Sequence, residues 1–255
     1  MKDHAARRTG DLIAIDGAYQ FNALRSGPAV QRFWHRAKLR CVDVLLPPAP
    51  GDLVLDVGCG SGVVTSHLAR RGAHAIGIDA NPQAIEFARG QFGDERARFR
   101  LGLVDDTFSV EAPVDKAYCL EVVEHVYRPQ ALSMLTRIRE ALRPGGRLLL
   151  TTPNYRSLWP VIEWLMDRSG RFAEMAEAQH VEHYHGRRLE ELCAEAGLEV
   201  VATRSMCTLS PWLACVSWKA AERVLDRELR WRLLWGPVLV CVAEKPRPAR
   251  GTNGG

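Results

Sequence analysis

The chain has 255 residues, of which 47% are hydrophobic and 25% charged, a globular profile that excludes fibrous and disordered classes. Its 34 Lys and Arg against 30 Asp and Glu leave a net charge of +4, far from the concentrated charge of a dedicated nucleic-acid binder. The 7 cysteines include no Cys-x-x-Cys pair, which argues against a zinc or redox motif and fits a reducing cytoplasm.

The opening stretch MKDHAARRTGDLIAIDG is charged and lacks the apolar core of a secretory signal. The longest uncharged apolar run, 233–243, is shorter than the ~17–25 residues that span a bilayer. The expectation is a cytoplasmic protein whose membrane contact, if it has any, is peripheral.

Residues 1–27 show no clear period and read as an N-terminal arm. Over 28–46, Val30, Phe33, Trp34, Ala37, Cys41, Val44 and Leu45 recur at helical spacing, with Arg32, Arg36 and Arg40 in a basic stripe, so this segment is an amphipathic helix. Pro47, Pro48, Pro50 and Gly51 end it, and 53–57 is a buried strand. Strands and helices then alternate: strands at 75–78, 99–104, 114–120, 147–151, 198–202 and 238–243, and helices at 66–71, 82–91, 129–142 and 189–196. The alternation predicts an α/β fold with a doubly wound, mostly parallel sheet. Two insertions, near 155–185 and 205–236, depart from the repeat and are candidate lids within a domain spanning 28–244. The tail 245–255, rich in Pro, Arg and Gly, reads as disordered.

The run Leu53-Val54-Leu55-Asp56-Val57-Gly58-Cys59-Gly60-Ser61-Gly62 is a strand entering a glycine turn that opens a helix. A turn without Cβ atoms lets a ligand approach the backbone. The dinucleotide fingerprint needs a third glycine where this chain has Val63, which counts against that class. Asp79 ends the next strand about 20 residues on, where an acid meets a ribose hydroxyl, so the two features together describe a nucleoside pocket.

These residues, with Gly77-Ile78-Asp79, Glu121-Val122-Val123-Glu124-His125 and Leu142-Arg143-Pro144-Gly145-Gly146, resemble the class I S-adenosylmethionine-dependent methyltransferases, in particular the ubiquinone-biosynthesis O-methyltransferase group. The resemblance runs from about residue 30 to 243 and implies a seven-stranded Rossmann-like sheet whose last strand is antiparallel. It also implies that Gly58 and Gly60 approach the cofactor's methionine portion, that Asp56 supports its amino end and that Asp79 holds the ribose hydroxyls. Relatives often read Gly-Asp after the third strand; here Gly102-Leu103 is followed by Asp105-Asp106, leaving adenine to backbone near Leu103 or to a later aspartate.

Glu121, Glu124 and His125 follow the fourth strand and fall at the mouth of the pocket, with Glu121 a candidate cofactor-binding residue. His125, assisted by Glu124, is a candidate general base. Alternatively, Glu121, Glu124 and His125 join a histidine of Gln179-His180-Val181-Glu182-His183-Tyr184-His185 to bind magnesium, manganese or zinc. That pattern looks like the metal set of ubiquinone-pathway and small-RNA methyltransferases, with His180 in the family position. Trp159, Ile162, Leu165 and Met166, flanked by Arg156, Arg168 and Arg171, and the Trp-rich second insertion suit an apolar acceptor or a membrane surface. The expectation is O-methylation of a hydroxylated small molecule or lipid-linked acceptor such as a quinone precursor, with no nucleic-acid substrate. The alternatives are methylation of a sugar or natural-product intermediate and a non-catalytic cofactor-binding partner.

Overall fold

The computed structural model describes residues 16–168, 180–232 and 234–248. Seven strands form one sheet: β1 (Leu53–Val57), β2 (His74–Asp79), β3 (Ala97–Leu101), β4 (Val114–Leu120), β5 (Leu142–Pro153), β6 (Glu199–Met206) and β7 (Val238–Glu244). Their order is β3-β2-β1-β4-β5-β7-β6. The first five pair in parallel, and β7 runs antiparallel between β5 and β6, as the resemblance implies.

Successive residues of a strand point to opposite faces, so each strand feeds two cores. Leu149 packs into one core and its neighbours Leu148 and Leu150 into the other. Helices α2 (Ala29–Leu45), α3 (Val63–Arg70), α4 (Pro82–Phe92) and α9 (Trp218–Arg230) cover the first face. Helices α5 (Arg128–Ala141) and α7 (Gly186–Glu195) cover the second. Asn81 caps α4 by accepting from the N–H groups of Gln83 and Ala84, and Pro82 sits where the missing N–H does no harm.

Several elements differ from the sequence expectation. The 1–27 arm contains helix α1 (Tyr19–Ser26), held by tertiary contacts: the Phe21 N–H donates to Ser61 Oγ at 3.1 Å, and the Phe21 ring packs on Phe87 and Phe92. The third strand stops at Leu101, leaving Leu103 exposed beyond it. The second insertion, expected as a lid, is in part built into the domain. It begins with the end of β6, continues through the short α8 (Ser210–Leu213), and reaches α9, whose Ala221, Leu225 and Leu229 are buried against the sheet. Helix α9 also bonds laterally to α2, through Arg40–Asp226 and the edge-on pair Phe33–Trp218. Lys245, where the disordered tail was expected to begin, exchanges backbone hydrogen bonds with Gly145 and Gly146. The rest of the expected arm and tail, 1–15 and 249–255, and the lid stretch 169–179 with Arg171 lie outside the described residues.

The glycine turn owes its shape to Gly62 as much as to ligand access. Gly62 adopts φ +79°, and a Cβ there would stand 2.7 Å from the Phe99 ring and 2.8 Å from Ala88. Gly62→Ala is therefore expected to lower the urea midpoint by an amount equivalent to about 2 kcal/mol or more, from the left-handed backbone and the overpacking together. An unchanged midpoint would show that the turn relaxes freely.

Candidate active site

Strand order reverses between β1 and β4: the chain leaves β1 toward β2 and leaves β4 toward β5. The loops after β1 and β4 therefore part, and the crevice between them is where ligands bind in open α/β sheets. A cavity there is lined by Gln20, His35, Lys38, Asp56, Gly58 and Leu120, among others. Its roof comes from α1 and α2 and its floor from the ends of β1 and β4.

Asp79 closes the glycine turn. Its Oδ2 accepts the Gly60 N–H at 2.7 Å and its Oδ1 the Asn81 N–H at 2.8 Å. Burial raises its pKa, while these backbone donors oppose the rise. Asp56 is buried at the end of β1 and accepts from Thr65 Oγ1 at 2.6 Å. Burial outweighs that bond and pushes its pKa up to about 7. Gly58 has φ +70°, and a Cβ would lie 2.3 Å from Val122 Cγ2, so a side chain here would press on the loop after β4. At Gly60 the atoms nearest to a Cβ would be those at the end of the Gln20 side chain.

Leu103 is exposed past the end of β3, where the Gly102 N–H donates to Asp79 O. Of the later aspartates, Asp105 accepts from Thr107, and Asp106 is engaged by Arg137 and Ser133. The two open choices for adenine thus differ in that both aspartates already have partners.

Past β4 the expected four-residue set divides. The ligand atoms of Glu124, His125 and His180 all lie within 4.8 Å of one another. Glu121 stands outside that group, its carboxylate in an ion pair with Lys38 and accepting Trp34 Nε1–H at 3.2 Å. Glu121 also adopts φ 57°, an uncommon conformation for a residue with a side chain and a form of strain that concentrates at functional sites. Burial alone would raise its pKa, but the Lys38 ammonium holds it below the usual carboxylate range.

Glu124 is 1% exposed, and only its Oε2 is satisfied, by Thr152 Oγ1 at 3.0 Å. Its Oε1 is buried without a hydrogen-bond partner among the described residues. Burial, with a smaller contribution from Glu121, pushes its pKa up to about 7. The 180s loop is pinned over it, as the Val181 and Glu182 N–H groups both donate to the Glu124 carbonyl. Tyr155 lies 3.2 Å from His180 Nδ1 and stacks on His183. His185 caps α7 by accepting from the Arg188 N–H. The three histidines therefore have separate places, and His180 alone of them joins Glu124 and His125.

The family model described as "Methyltransferase domain" matches residues 29–203. The chain belongs to the methyltransferase domain family. It is 39% identical over 110 residues to a ubiquinone biosynthesis O-methyltransferase of Xylella fastidiosa, a match covering 42% of this chain and 44% of the relative. The chain thus matches less than half the length of that curated relative. Among solved structures, a SAM-dependent methyltransferase of Thermotoga maritima superposes with TM-score 0.65 at 16% identity, covering 93% of this chain and all of the other. Magnesium protoporphyrin IX methyltransferase of Synechocystis, solved with bound SAM, superposes with TM-score 0.60 at 16% identity over 96% of this chain and all of that one. These likenesses establish the methyltransferase fold.

Sequence reasoning missed three residues of this site. Lys38 is buried and lines the cavity; its signal was a cation at helical spacing from Trp34 and Cys41 on the apolar stripe. Trp34 packs on Trp159 of α6 (Trp159–Arg168), and Trp159 in turn packs near His180, linking the roof to the acid and histidine group. Asn154 donates to the carbonyls of Leu234 and Gly236, clasping the two insertions together at the rim.

The raised Asp56 pKa makes a stability prediction. A carboxyl that holds its proton more tightly when folded loses stability as pH rises through the window from about 3.8 to about 7. In cofactor-free protein, Asp56→Asn should gain Tm relative to the parent as pH rises from about 4 to about 7, and the gain should stay level above neutrality. Parallel Tm-against-pH curves for the two proteins would contradict this.

Proposed function

We propose that the chain is an S-adenosylmethionine-dependent O-methyltransferase acting on a hydroxylated small molecule or lipid-linked acceptor, with a quinone precursor as the leading class. The observation that carries the reading is the pairing on one rim of the Asp79-closed glycine turn with the Glu124–His125–His180 group. The first suits the donor and the second an acceptor hydroxyl.

In this reading Asp79 accepts from the ribose hydroxyls, using the lone pairs its two backbone donors leave over. Asp56 faces the donor's ammonium and Lys38 its carboxylate, the charges that the lining residues can match. Leu103 lies beside the adenine end, beyond β3. Methyl transfer to oxygen needs in-line placement and an acceptor proton that can leave. Glu124 or His125 takes that proton, and the 7% exposure of His180 and the neighbouring Trp159 limit water around it.

The same group suits a divalent ion such as magnesium, manganese or zinc, because the orphaned buried Glu124 Oε1 is a hard oxygen lacking a partner. Glu124, His125 and His180 would hold it, and such an ion supplies a lowered pKa at a bound hydroxyl. Transfer of a labelled methyl group from the cofactor into a cell extract, with the product identified, tests the reading. Asp79→Ala should weaken cofactor binding at least about tenfold, the loss of charge-assisted hydrogen bonds. A chelator and Glu124→Ala should each abolish transfer if a metal acts, whereas loss with Glu124→Ala alone assigns a metal-free base. No labelled product and no cofactor binding would remove the methyltransferase reading.

Among the described residues no helix is long and apolar enough to cross a membrane. Both insertions nevertheless expose apolar side chains: Leu158 and Trp164 on the first, and Trp212, Val216 and Trp235 on the second. Arg168 stands over the Trp164 ring. Aromatics with arginine suit the interface of an anionic bilayer, so the enzyme is read as cytoplasmic and peripherally membrane-bound. Sedimentation with vesicles containing phosphatidylglycerol should recover the protein, less so after Trp164→Ser and Trp212→Ser together. Equal recovery with neutral vesicles, or none with either, would refute the contact.

A further inference from the structure

Among the described residues, Lys38 is the only one lining the cavity with a fixed positive charge, for burial drives the adjacent His35 down to about 3 and keeps it neutral. Without a ligand, that ammonium is committed to Glu121. The methyl donor's methionine portion brings a second carboxylate into the same cavity. Two carboxylates then face one buried cation, and their mutual repulsion in a poorly solvated place is costly.

Glu121 has somewhere to go. It lies three residues before Glu124, joined to it by the single turn Val123–His125, and its carboxylate is near enough to influence the Glu124 carboxyl. Its side chain is held away from the Glu124–His125–His180 group by Lys38 and by the Trp34 indole, on a backbone of φ 57°. The restraint is two polar contacts, one of which the donor competes for directly.

We infer that Lys38 exchanges partners when the methyl donor binds, passing from the Glu121 carboxylate to the donor's, and that the released Glu121 turns toward the Glu124–His125–His180 group. The acceptor side is then completed only when the donor side is filled. This inference rests on the proposed methyltransferase reading. It makes Lys38 a donor-binding residue and Glu121 the element through which donor occupancy reaches the acceptor pocket. Trp34, which touches both Glu121 and Trp159, carries the same change to the first insertion.

The two carboxylates being competitors gives the test a sign. With S-adenosylhomocysteine as probe, whose sulfur is uncharged, calorimetry should show Glu121→Gln binding about three- to tenfold tighter than the parent, roughly 0.7–1.4 kcal/mol. Lys38→Met should bind at least about tenfold weaker, with part of the loss restored in Lys38→Arg. Methylthioadenosine lacks the carboxylate, and its affinity should be the same in all four proteins. If Glu121 merely positions Lys38, Glu121→Gln binds the homocysteine probe more weakly or unchanged, and the exchange is wrong.

A second readout follows the indole directly. The Trp34 Nε1–H resonance, assigned by Trp34→Phe in labelled protein, should move with S-adenosylhomocysteine and stay with methylthioadenosine; equal responses to both would overturn the exchange. Manganese affinity, followed by electron paramagnetic resonance, should rise with S-adenosylhomocysteine in the parent and be high without it in Lys38→Met. Should manganese bind in no state, the metal part of the proposed function fails while the Glu121→Gln sign still decides the exchange. Failure of the parent to bind S-adenosylhomocysteine at all would remove the methyltransferase reading and the exchange with it.

Discussion

β1 and β4 lie side by side in the sheet, and their chains leave it in opposite directions. Everything chemical in this molecule depends on that divergence. Loops that part do not pair with each other, and the backbone past each strand bonds outward instead, Gly58 and Cys59 to the Ile78 carbonyl and Glu121 to the Thr151 carbonyl, which leaves a gap between them. The gap receives the glycine turn from one side and Glu121 through His125 from the other. The glycine turn and the Glu124–His125 pair thereby meet at one place, although more than sixty residues of chain separate Gly60 from Glu124.

The gap is lined by charge that the protein itself does not fully neutralise. Burial pushes the pKa values of Asp56 and Glu124 both up to about 7, and among the described residues neither receives a cationic hydrogen-bond partner. Such groups cost stability in the empty protein and favour whatever ligand brings the missing positive charge. Glu121 is the exception, since Lys38 neutralises it. Among these three carboxylates, Asp56 is met by a hydroxyl, Glu124 by a hydroxyl at one oxygen only, and Glu121 by an ammonium.

The sheet was legible because its strands are short apolar runs separated by strong punctuation, and all seven were found, with ends displaced by a few residues. The glycine turn, Asp79 and the Glu124–His125 pair were legible because their chemistry depends on local spacing. Helix α1 was not, since eight residues with a single buried side chain, Ala23, carry little periodic signal and are fixed by distant partners such as Ser61 and Phe92. Lys38 escaped for the same reason: nothing in a helix's own period reveals that a carboxylate from a strand end will be its partner. The division of the expected metal set also lies beyond spacing. Glu121 and Glu124 are close in sequence, but the left-handed backbone at Glu121 turns the first toward the helical roof while the second stays with the histidines.

The two insertions follow a similar logic at larger scale. Both rise from the same end of the sheet, because β5 and β6 end where β7 begins, at Pro153, Met206 and Val238. Asn154 ties them together, and Glu228 of α9 fixes the start of the second by accepting from the N–H groups of Cys207, Leu209 and Ser210. Their ends are anchored by these bonds, while Trp164, Trp212 and Trp235 remain exposed. Under the proposed function, that aromatic surface and the polar crevice suit an acceptor whose hydroxylated head enters the crevice while its apolar body stays in the bilayer that the exposed tryptophans meet.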